Sequence, residues 1–252
     1  MPATPAWPPK SAPRLFVSRP IGPDALVEID GAQAHYLSRV MRVNPGDSLV
    51  LCDDVTGEWA ARVIESGKRS VVAKAEVLLR NREETPDFTL CAALLKKDRF
   101  DIVLEKACEL GVGTIQPVLT RRCVADKLNL ERARTILIEA AEQCARTALP
   151  HLLAPVKLES LLKAWDPARA LYFADENGGK EALRQFGLHQ GPAALLVGPE
   201  GGFDEAERKA VRAHAQARPI TLGPRILRGE TAAIAATALW MASAGDWHKS
   251  AR

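Results

Sequence analysis

Two glycine-rich segments in the last quarter of the chain have the residue types to bind a planar polar ligand through backbone groups. The first spans residues 195–203 and contains Gly198-Pro199-Glu200-Gly201-Gly202; the second spans residues 222–232 and begins Leu222-Gly223-Pro224. Glycine allows the backbone to approach a ligand closely, and proline fixes the local geometry. Each segment has the pattern of a buried strand, a turn and a helix. Open α/β sheets bind ligands at the edge where such turns lie together, so the pair predicts one pocket.

Both segments also have ordinary structural interpretations, which stay open at this point. Neither is a phosphate loop, because the Gly-Lys-Ser/Thr ending is absent, and neither contains the G-x-G-x-x-G dinucleotide fingerprint. The first segment is equally compatible with a plain turn between a strand and a helix. The second is compatible with a tight contact between helix and sheet, in which the alanines after Thr231 allow close packing and Arg228 pairs with Glu230.

Charged side chains near these segments are the candidates for acid, base or electrostatic chemistry. They are Arg228, Glu230, Glu200 and, in an upstream helix, Glu142 and Arg146. An arginine stabilises developing negative charge, and a carboxylate accepts a proton when burial raises its pKa. Glu142 and Arg146 are also spaced as an i, i+4 ion pair on a solvated helix face. Glu200 is equally suited to capping backbone N–H groups of its own loop.

Basic residues occur in three groups, one along a predicted helix face and two beside predicted strands. The groups are His35, Arg39 and Arg42, spaced at i, i+4 and i+7; Lys96, Lys97 and Arg99; and Arg121 with Arg122. Several such groups near one cleft would bind a phosphate backbone, although each alone also fits an ordinary solvated surface. Trp59 and Phe203 have rings that could stack on bases, and core packing is the favoured interpretation for both.

The composition bounds the class of protein. The chain has 252 residues, of which 47% are hydrophobic and 26% charged, with 34 basic against 31 acidic side chains. This is the composition of a globular protein of one large or two ordinary domains, and a net charge of +3 is too small to indicate nucleic-acid binding. Five cysteines without a C-x-x-C pair predict reduced thiols, a cytoplasmic location and no metal site. No apolar run is long enough to predict a membrane span.

The chain divides into a β-rich part and a part in which strands and helices alternate. Such alternation predicts a mostly parallel sheet covered on both faces. The predicted organisation is a mobile tail over 1–13, a small β-barrel over 14–82 with one helix at 31–42, a linker over 83–88, an α/β domain over 89–246 and a tail over 247–252.

Helix ends in the α/β domain carry local signals. Gly111 closes a helix over 98–110, and Asn129 is an N-cap for a helix that we extend to residue 146. Asp204 and Glu207 form a predicted capping box for a helix that we extend to residue 217.

The two segments also match a known family as a pair. Their strings G-P-E-G-G-F and L-G-x-R-I-L-R-x-E-T-A, in this order, resemble those of the RsmE family of 16S ribosomal RNA uridine-N3 methyltransferases, in the SPOUT superfamily of trefoil-knotted methyltransferases. The resemblance covers about residues 14–244. It includes Lys96 and Lys97 and the ranges 35–42, 45–47, 106–112 and 139–146.

The resemblance implies an α/β trefoil knot, in which the chain after Leu222 threads through an earlier loop, preceded by a PUA-like β-barrel that helps to hold RNA. It implies S-adenosylmethionine as the cofactor, bent in the knot and held largely by backbone groups. It also implies a homodimer, with the apolar final helix and its Trp240 and Met241 in the interface. The residues expected to bind the cofactor are Leu196, Val197, Gly198, Pro199, Glu200, Gly201, Gly202, Leu222, Gly223, Ile226, Leu227, Arg228, Thr231 and Ala232.

The reaction implied by the resemblance is methylation of N3 of a specific uridine in the decoding region of 16S rRNA, with the assembled small subunit as substrate. N3 carries a weakly acidic proton, so the enzyme has to remove it or stabilise the anion. We expect Arg228 to stabilise the anion and Glu230 to act as base or to orient Arg228, with Arg146 and Glu142 as further candidates. The three basic groups are expected to contact the RNA.

Two other functions fit the same residues. One is a non-catalytic RNA-binding or assembly factor with the same fold, which the intact cofactor segments disfavour. The other is a related knotted methyltransferase acting on another RNA position, such as a ribose 2′-oxygen of tRNA. The N-terminal position of the barrel and the I-L-R-x-E-T-A string disfavour this second alternative.

Overall fold

The computed structural model describes residues 7–248; residues 1–6 and 249–252, which belong to the two predicted tails, lie outside the described part. The described chain forms two compact units. The N-terminal unit comprises residues 7–84 together with 141–149, and the C-terminal unit comprises residues 85–140 and 150–248. Because the chain returns to the N-terminal unit at 141–149, no single boundary along the sequence separates the two.

A five-stranded sheet forms the N-terminal unit. Its strands are β1 (Arg14–Phe16), β2 (Leu26–Ile29), β3 (Ser48–Asp53), β4 (Gly57–Ser66) and β5 (Val71–Asn81). The order is β1-β3-β4-β5-β2, with β1 parallel to β3 and the other pairs antiparallel. Side chains such as Leu49, Leu51 and Trp59 meet in one buried cluster, as period-two patterning predicts. The predicted β-rich first part is confirmed.

The predicted helix of this unit changes its winding halfway along. α1 (Gly31–His35) continues into a π-helix over Tyr36–Met41, and Arg42 after it has a left-handed φ of 54°. A π-helix pairs residue i with i+5, so the predicted i, i+4, i+7 face is wrong and Arg42 lies beyond the helix. His35, Arg39 and Arg42 are nevertheless all exposed.

The described part of the predicted N-terminal tail contacts the sheet. The indole N–H of Trp7 donates to the Ser48 hydroxyl at 2.9 Å, and the guanidinium of Arg62 lies 5.1 Å from the centre of the Trp7 ring. The carbonyl of Pro13 accepts from the N–H of Val50 at 2.9 Å. In contrast to the predicted mobile tail, residues 7–13 are therefore held against the N-terminal sheet.

Asp53, at the end of β3, organises the turn into β4. Its carboxylate accepts hydrogen bonds from the N–H groups of Ile21 (2.8 Å), Val55 (2.7 Å) and Thr56, and from the Thr56 hydroxyl (2.5 Å). Asp53 is 1% exposed. Burial alone raises the pKa of Asp53, but these hydrogen bonds to the ionised form outweigh it and hold the pKa below its usual value near 3.8.

Replacing Asp53 with asparagine should lower the free energy of unfolding by about 1–3 kcal/mol, because one amide oxygen leaves buried donors unpaired. Since the folded-state pKa is depressed, the carboxylate stabilises the protein above about pH 4, and this contribution is lost as the pH falls through the folded-state pKa. The deficit of the variant should therefore shrink in acid. Urea unfolding of both proteins at neutral and acid pH checks this, with Asp30→Asn as control because the exposed Asp30 side chain makes no cap hydrogen bond. An equal deficit at both pH values would contradict the assignment.

The C-terminal unit is built on a parallel sheet. Its strands are β6 (Phe88–Ala93), β7 (Thr114–Leu119), β8 (His151–Leu152), β9 (Val156–Lys157), β10 (Ala170–Ala174), β11 (Lys180–Glu181), β12 (Ala193–Val197) and β13 (Ala217–Thr221). The order is β11-β13-β10-β12-β6-β7-β8, with β9 beside β7, and the pairings of these described strands are parallel. The central strands β10, β12 and β6 are almost wholly buried, as expected where helices cover both faces. The predicted mostly parallel α/β domain is confirmed.

Helices connect these strands. They are α2 (Lys97–Leu110), α3 (Leu130–Cys144), α4 (Leu158–Lys163), α5 (Ala182–Gly187), α6 (Glu205–Ala213) and α7 (Gly229–Ser243). The short elements β8, β9, β11, α4 and α5 carry too few residues to show a period in the sequence, and sequence reasoning missed them.

The three predicted helix-capping interactions are confirmed. Gly111 ends α2 with a left-handed φ of 98°, and the Asn129 side chain caps α3 by accepting from the N–H of Arg132 at 3.0 Å. Asp204 and Glu207 form the predicted capping box of α6. The predicted extension of this helix to residue 217 is wrong, because α6 ends at Ala213 and Ala217 already begins β13.

The end of α3 also differs from the prediction. The helix ends at Cys144, and Ala145 has a left-handed φ of 60°, so the chain turns before Arg146. Arg146 is 4% exposed, and its Nε lies 3.1 Å from Oε1 of Glu83. The interpretation of residues 142 and 146 as an ion pair on a solvated helix face is therefore wrong, since Arg146 is neither helical nor solvated.

The apolar helix α7 packs inside the C-terminal unit. Trp240 is 2% exposed and stacks on Phe88 of β6, with ring centres 4.0 Å apart, and Met241 is fully buried. The expectation that these two side chains form a surface between two copies is therefore wrong. Ile234 and Ala238 on the same helix are only half-buried.

Membrane and metal signals are absent from the described chain. Within residues 7–248 no helix combines the length and apolarity needed to cross a membrane, and no cluster of His, Cys, Asp and Glu side chains is arranged to hold a metal ion.

Burial raises the pKa of the Cys52 thiol to about 11 and that of Cys91 to about 12. Both thiols are therefore protonated at neutral pH.

Candidate active site

The carboxyl ends of β10, β12 and β13 meet at one cleft in the C-terminal unit. The loops that follow these strands form its walls. The cleft is lined by Phe173, Ala174, Asp175, Glu176, Val197, Gly198, Pro199, Gly202, Phe203, Arg208, Ile220, Thr221, Leu222, Gly223, Pro224, Arg225, Ile226, Leu227, Gly229 and Ala232.

Two positions of the first glycine-rich loop require glycine. A Cβ on Gly198 would lie 2.8 Å from Cε2 of Phe203, whose ring is 7% exposed and packs edge-on against Phe173. Gly202 has a left-handed φ of 66°, and a Cβ there would lie 3.0 Å from Oε1 of Glu176. At these positions the loop presents main chain rather than side chains to the cleft.

The second glycine-rich loop closes the same cleft. Gly223 has a left-handed φ of 111°, and Ile226 is 86% exposed. Gly229, the first residue of α7, is so tightly packed that a Cβ would lie 2.9 Å from Cδ2 of Leu95 and 3.1 Å from the carbonyl oxygen of Gly198. This close approach places the start of α7 against the first loop, so the two segments form one site.

The two acidic residues after β10 differ in whether their carboxylates are already paired within the protein. Asp175 is 3% exposed, and its Oδ2 lies 2.6 Å from Nη2 of Arg212, so this carboxylate is already paired inside the protein. Glu176 is exposed, lines the cleft and faces the main chain of Gly202. Glu176 is therefore the acidic side chain of the lining best placed to meet a ligand.

Arg121 and Arg122 brace the first loop. Nη1 of Arg122 donates to the carbonyl oxygen of Gly201 at 2.9 Å, and Nη1 of Arg121 donates to Oδ2 of Asp204 at 2.8 Å. The hydrogen bond from the N–H of Glu207, together with that from Arg121, holds the pKa of Asp204 below its usual range. These bonds support residues 201–204, while the predicted contact of the two arginines with RNA stays a prediction.

Arg99 contacts both carboxylates that sequence reasoning placed near the chemistry. Its Nη1 donates to Oε1 of Glu200 at 3.2 Å, and its Nε lies 3.9 Å from Oε1 of Glu230. The anticipated pairing of Glu230 with Arg228 is wrong: no ion pair joins them in the described chain, and Arg228 is exposed at the N-cap of α7. Glu200 likewise accepts no N–H group of its own loop within residues 7–248, so the capping interpretation is also wrong.

Most of the residues predicted to bind the cofactor line the cleft. The exceptions are Leu196, Glu200, Gly201, Arg228 and Thr231. Leu196 is fully buried within β12, and Gly201 packs against the Arg122 side chain. Sequence reasoning missed the contribution of β10, whose last residues Phe173 and Ala174 line the cleft together with Asp175 and Glu176 of the loop that follows. Its signal was an Asp-Glu pair directly after a predicted strand, but its relevance depends on β10 lying between β12 and β13.

Two of the predicted catalytic residues have contacts within the N-terminal unit. The Glu142 carboxylate accepts hydrogen bonds from the N–H of Phe16 at 2.8 Å and from the amide of Gln33 at 3.2 Å. Arg146 is paired with Glu83. These contacts are structural, and a catalytic role for Glu142 or Arg146 stays a prediction.

The other residues proposed from the sequence differ in their exposure and in their contacts. Lys96 and Lys97 are exposed at the start of α2, whereas Arg99 of the same group forms the ion pairs described above. Trp59 and Phe203 are 6% and 7% exposed. The core-packing interpretation of these two rings is confirmed.

A parallel sheet with a cleft at its carboxyl edge, in a chain that also forms a small β-sheet unit, defines a two-unit α/β protein with a candidate ligand site. The sequence profile described as RNA methyltransferase domain matches residues 82–241, and the profile described as RNA methyltransferase PUA domain matches residues 29–76. The chain is thus of the RNA methyltransferase class.

Named relatives narrow this class. A ribosomal RNA small subunit methyltransferase E from Synechocystis is 33% identical over 85% of this chain and 72% of its own. The solved ribosomal RNA small subunit methyltransferase E of Neisseria gonorrhoeae, bound to S-adenosyl methionine, is 29% identical, with a TM-score of 0.85 over 94% of this chain and 99% of that one. A Legionella pneumophila protein assigned as a methyltransferase, solved with the cofactor SAM, is 30% identical, with a TM-score of 0.85 over 93% and 99% of the two chains. The chain belongs to the ribosomal RNA small subunit methyltransferase E family.

Proposed function

We propose that this chain transfers a methyl group from S-adenosylmethionine to N3 of a specific uridine in the decoding region of 16S ribosomal RNA. The observation that carries the proposal is the cleft built by the two glycine-rich loops at the carboxyl ends of β10, β12 and β13. Family membership supports the class of reaction. The names of the relatives support small-subunit ribosomal RNA as the substrate.

The lining of the cleft fits S-adenosylmethionine, which supplies a methyl group carried on a positively charged sulfur. Val197, Leu222 and Leu227 offer an apolar wall suited to an adenine ring. The main chain at Gly198 offers polar groups without an intervening side chain, and the Glu176 carboxylate suits ribose hydroxyls or an ammonium group. An apolar pocket with a few polar groups is the usual character of a cofactor site.

We assign electrostatic stabilisation to Arg228. It follows Leu227, which lines the cleft, and its exposed side chain makes no cap hydrogen bond to α7. When N3 of the uracil loses its proton, negative charge spreads to the neighbouring carbonyl oxygens, and a preorganised guanidinium stabilises that charge. The target base has to leave its stack for N3 to reach the cleft.

RNA binding is assigned to exposed basic side chains of both units, and the PUA match supports this role for the N-terminal unit. The exposed candidates are His35, Arg39, Arg42, Lys96, Lys97, Arg121 and Arg122. As further parts of the proposal, the substrate is the assembled small subunit and the enzyme is therefore cytoplasmic.

The remaining implications of the family resemblance are also proposals. We propose a trefoil knot after Leu222 and the domain boundaries 14–82 and 89–246, with residues 141–149 of the second range belonging to the N-terminal unit. We further propose a homodimer. Since Trp240 and Met241 are buried, the half-buried Ile234 and Ala238 of α7 are the better candidates for its contact surface.

Mass spectrometry of nucleosides tests the proposed function. Small subunits that lack the modification should gain 3-methyluridine in their 16S rRNA when incubated with the protein and S-adenosylmethionine, and not when either is omitted. A methylated nucleoside of another kind would instead support the related enzyme that acts at another position. No methylation despite calorimetric binding of S-adenosylmethionine would support the non-catalytic factor.

A further inference from the structure

Arg99 links the two loops of the cleft through their carboxylates. It reaches from the first turn of α2 to Glu200 in the first glycine-rich loop, with a hydrogen bond of 3.2 Å, and to Glu230 at the start of α7, at 3.9 Å. Within residues 7–248 no other cation forms an ion pair with either carboxylate. Arg99 is 33% exposed in its side chain, whereas Glu200 and Glu230 are 20% and 13% exposed.

Both carboxylates keep an oxygen without a partner inside the protein. Oε2 of Glu200 and Oε2 of Glu230 are buried, and neither has a hydrogen-bond partner in the described chain. A buried acceptor without a donor costs stability. Such an atom is therefore expected to meet a donor that comes with a ligand or with water.

Of the two carboxylates, that of Glu230 is the one that accepts no hydrogen bond from Arg99. Glu200 accepts a true hydrogen bond from Arg99, whereas 3.9 Å from Nε of Arg99 to Oε1 of Glu230 is too long for one. Glu230 also directly follows Gly229, which lines the cleft and packs against the carbonyl of Gly198. Glu230 thus lies beside the cleft with neither oxygen committed to a hydrogen bond in the described chain.

We infer that Glu230 accepts the N3 proton of the target uracil, and that Arg99 is the positioning residue that holds Glu230 and Glu200 for this step. The inference rests on the proposed uridine-N3 methylation. The N3–H bond breaks and its proton passes to Oε2 of Glu230. The electron pair left on N3 forms the bond to the methyl group. The sulfur–methyl bond breaks, and its electron pair stays with the sulfur of the departing donor.

The charged groups near Glu230 predict how the pH profile of the reaction should respond to loss of Arg99. Arg99 of α2 approaches Glu230 and also pairs with Glu200 of the first loop, while Arg228 lies two residues earlier at the N-cap of α7 and the apolar Leu95 packs beside Gly229. Without the guanidinium of Arg99, the two carboxylates would have no ion-pairing cation, and repulsion between like charges would disfavour their deprotonated forms. Because a base works only when deprotonated, the acid limb of the kcat–pH profile should then move to higher pH.

The experiment compares Glu230→Gln, Arg99→Gln and Arg99→Lys with wild type, using methylation of small subunits and calorimetric binding of S-adenosylmethionine. Arg132→Gln is the matched control, because Arg132 pairs with Asp101 on the same helix as Arg99 and away from the cleft lining. Glu230→Gln should lower kcat by about a hundredfold or more, with the S-adenosylmethionine Kd within threefold of wild type.

Arg99→Gln should lower kcat by about tenfold and shift the acid limb upward by about one pH unit, and Arg99→Lys should restore the position of the limb. The control should match wild type in kcat, pH profile and Kd. Wild-type turnover of Glu230→Gln, or an unshifted limb in Arg99→Gln, would overturn the inference. If wild type itself makes no 3-methyluridine, the proposed function fails instead, so the two failures are distinguishable.

Discussion

Replacing Gly198 with alanine is expected to weaken S-adenosylmethionine binding by about ten- to a hundredfold. The added Cβ would lie 2.8, 3.0 and 3.3 Å from three ring atoms of Phe203. That ring cannot retreat, because it is 7% exposed and packed against Phe173 with ring centres 5.1 Å apart. The loop has to move instead, and overpacking of this kind costs about 1–3 kcal/mol. The cost falls on the groups proposed to hold the cofactor.

Calorimetric titration with S-adenosylmethionine measures the effect, and thermal unfolding shows whether the fold persists. Gly187→Ala is the matched control, because Gly187 belongs to the same unit and a Cβ there meets nothing within 4 Å. A second variant makes the cause specific: adding Phe203→Leu to Gly198→Ala removes ring atoms that clash and should recover most of the affinity. Wild-type affinity of the single variant, or no recovery in the double variant, would show that this contact does not shape the cleft.

Replacing Arg228 with alanine is expected to lower kcat by about a hundred- to a thousandfold while the affinity for S-adenosylmethionine changes less than threefold. Loss of one preorganised donor to a developing anion typically has an effect of this size. The start of α7 should persist, because the N-cap contact there is from the Ala232 N–H to the main-chain oxygen of Arg228, at 2.8 Å, and the side chain makes no cap bond.

Single-turnover methylation of small subunits separates this effect from product release, and calorimetry measures cofactor binding on the same preparation. Arg184→Ala is the control, since Arg184 is an exposed arginine on α5 of the same unit and does not line the cleft. Turnover at the wild-type rate would remove Arg228 from the mechanism. A parallel loss of cofactor affinity would instead make Arg228 a binding residue.

The parts of the fold that follow from the sequence are those decided by near neighbours along the chain. Gly111 ends α2 and Asp204 with Glu207 caps α6 as predicted, because a cap is satisfied within about one turn of the residue that makes it. Alternating and continuous apolar runs likewise predicted both sheets. The end of α3 was not predictable in this way, since the helix pattern continues to Arg146 while Ala145 adopts a left-handed φ of 60°.

The candidate site was also only partly predictable from the sequence. The two glycine-rich segments could be paired from sequence, because strands followed by glycine-rich turns in a parallel sheet share one edge. The third wall of the cleft could not, because the loop after β10 joins the site only through the strand order β13-β10-β12.

By itself, the sequence determined the class of fold, the helix caps and a pocket of main chain between two glycine-rich loops. Only the tertiary structure decided which charges meet: Arg99, expected on an RNA-binding surface, pairs with Glu200 and approaches Glu230. It also decided that Trp240 faces Phe88 rather than a second copy. The physical reason is the separation along the chain between the residues that interact. Backbone conformation depends on the chemistry of a few adjacent residues, whereas ion pairing and burial depend on side chains that only the packed chain brings within a few ångströms of one another.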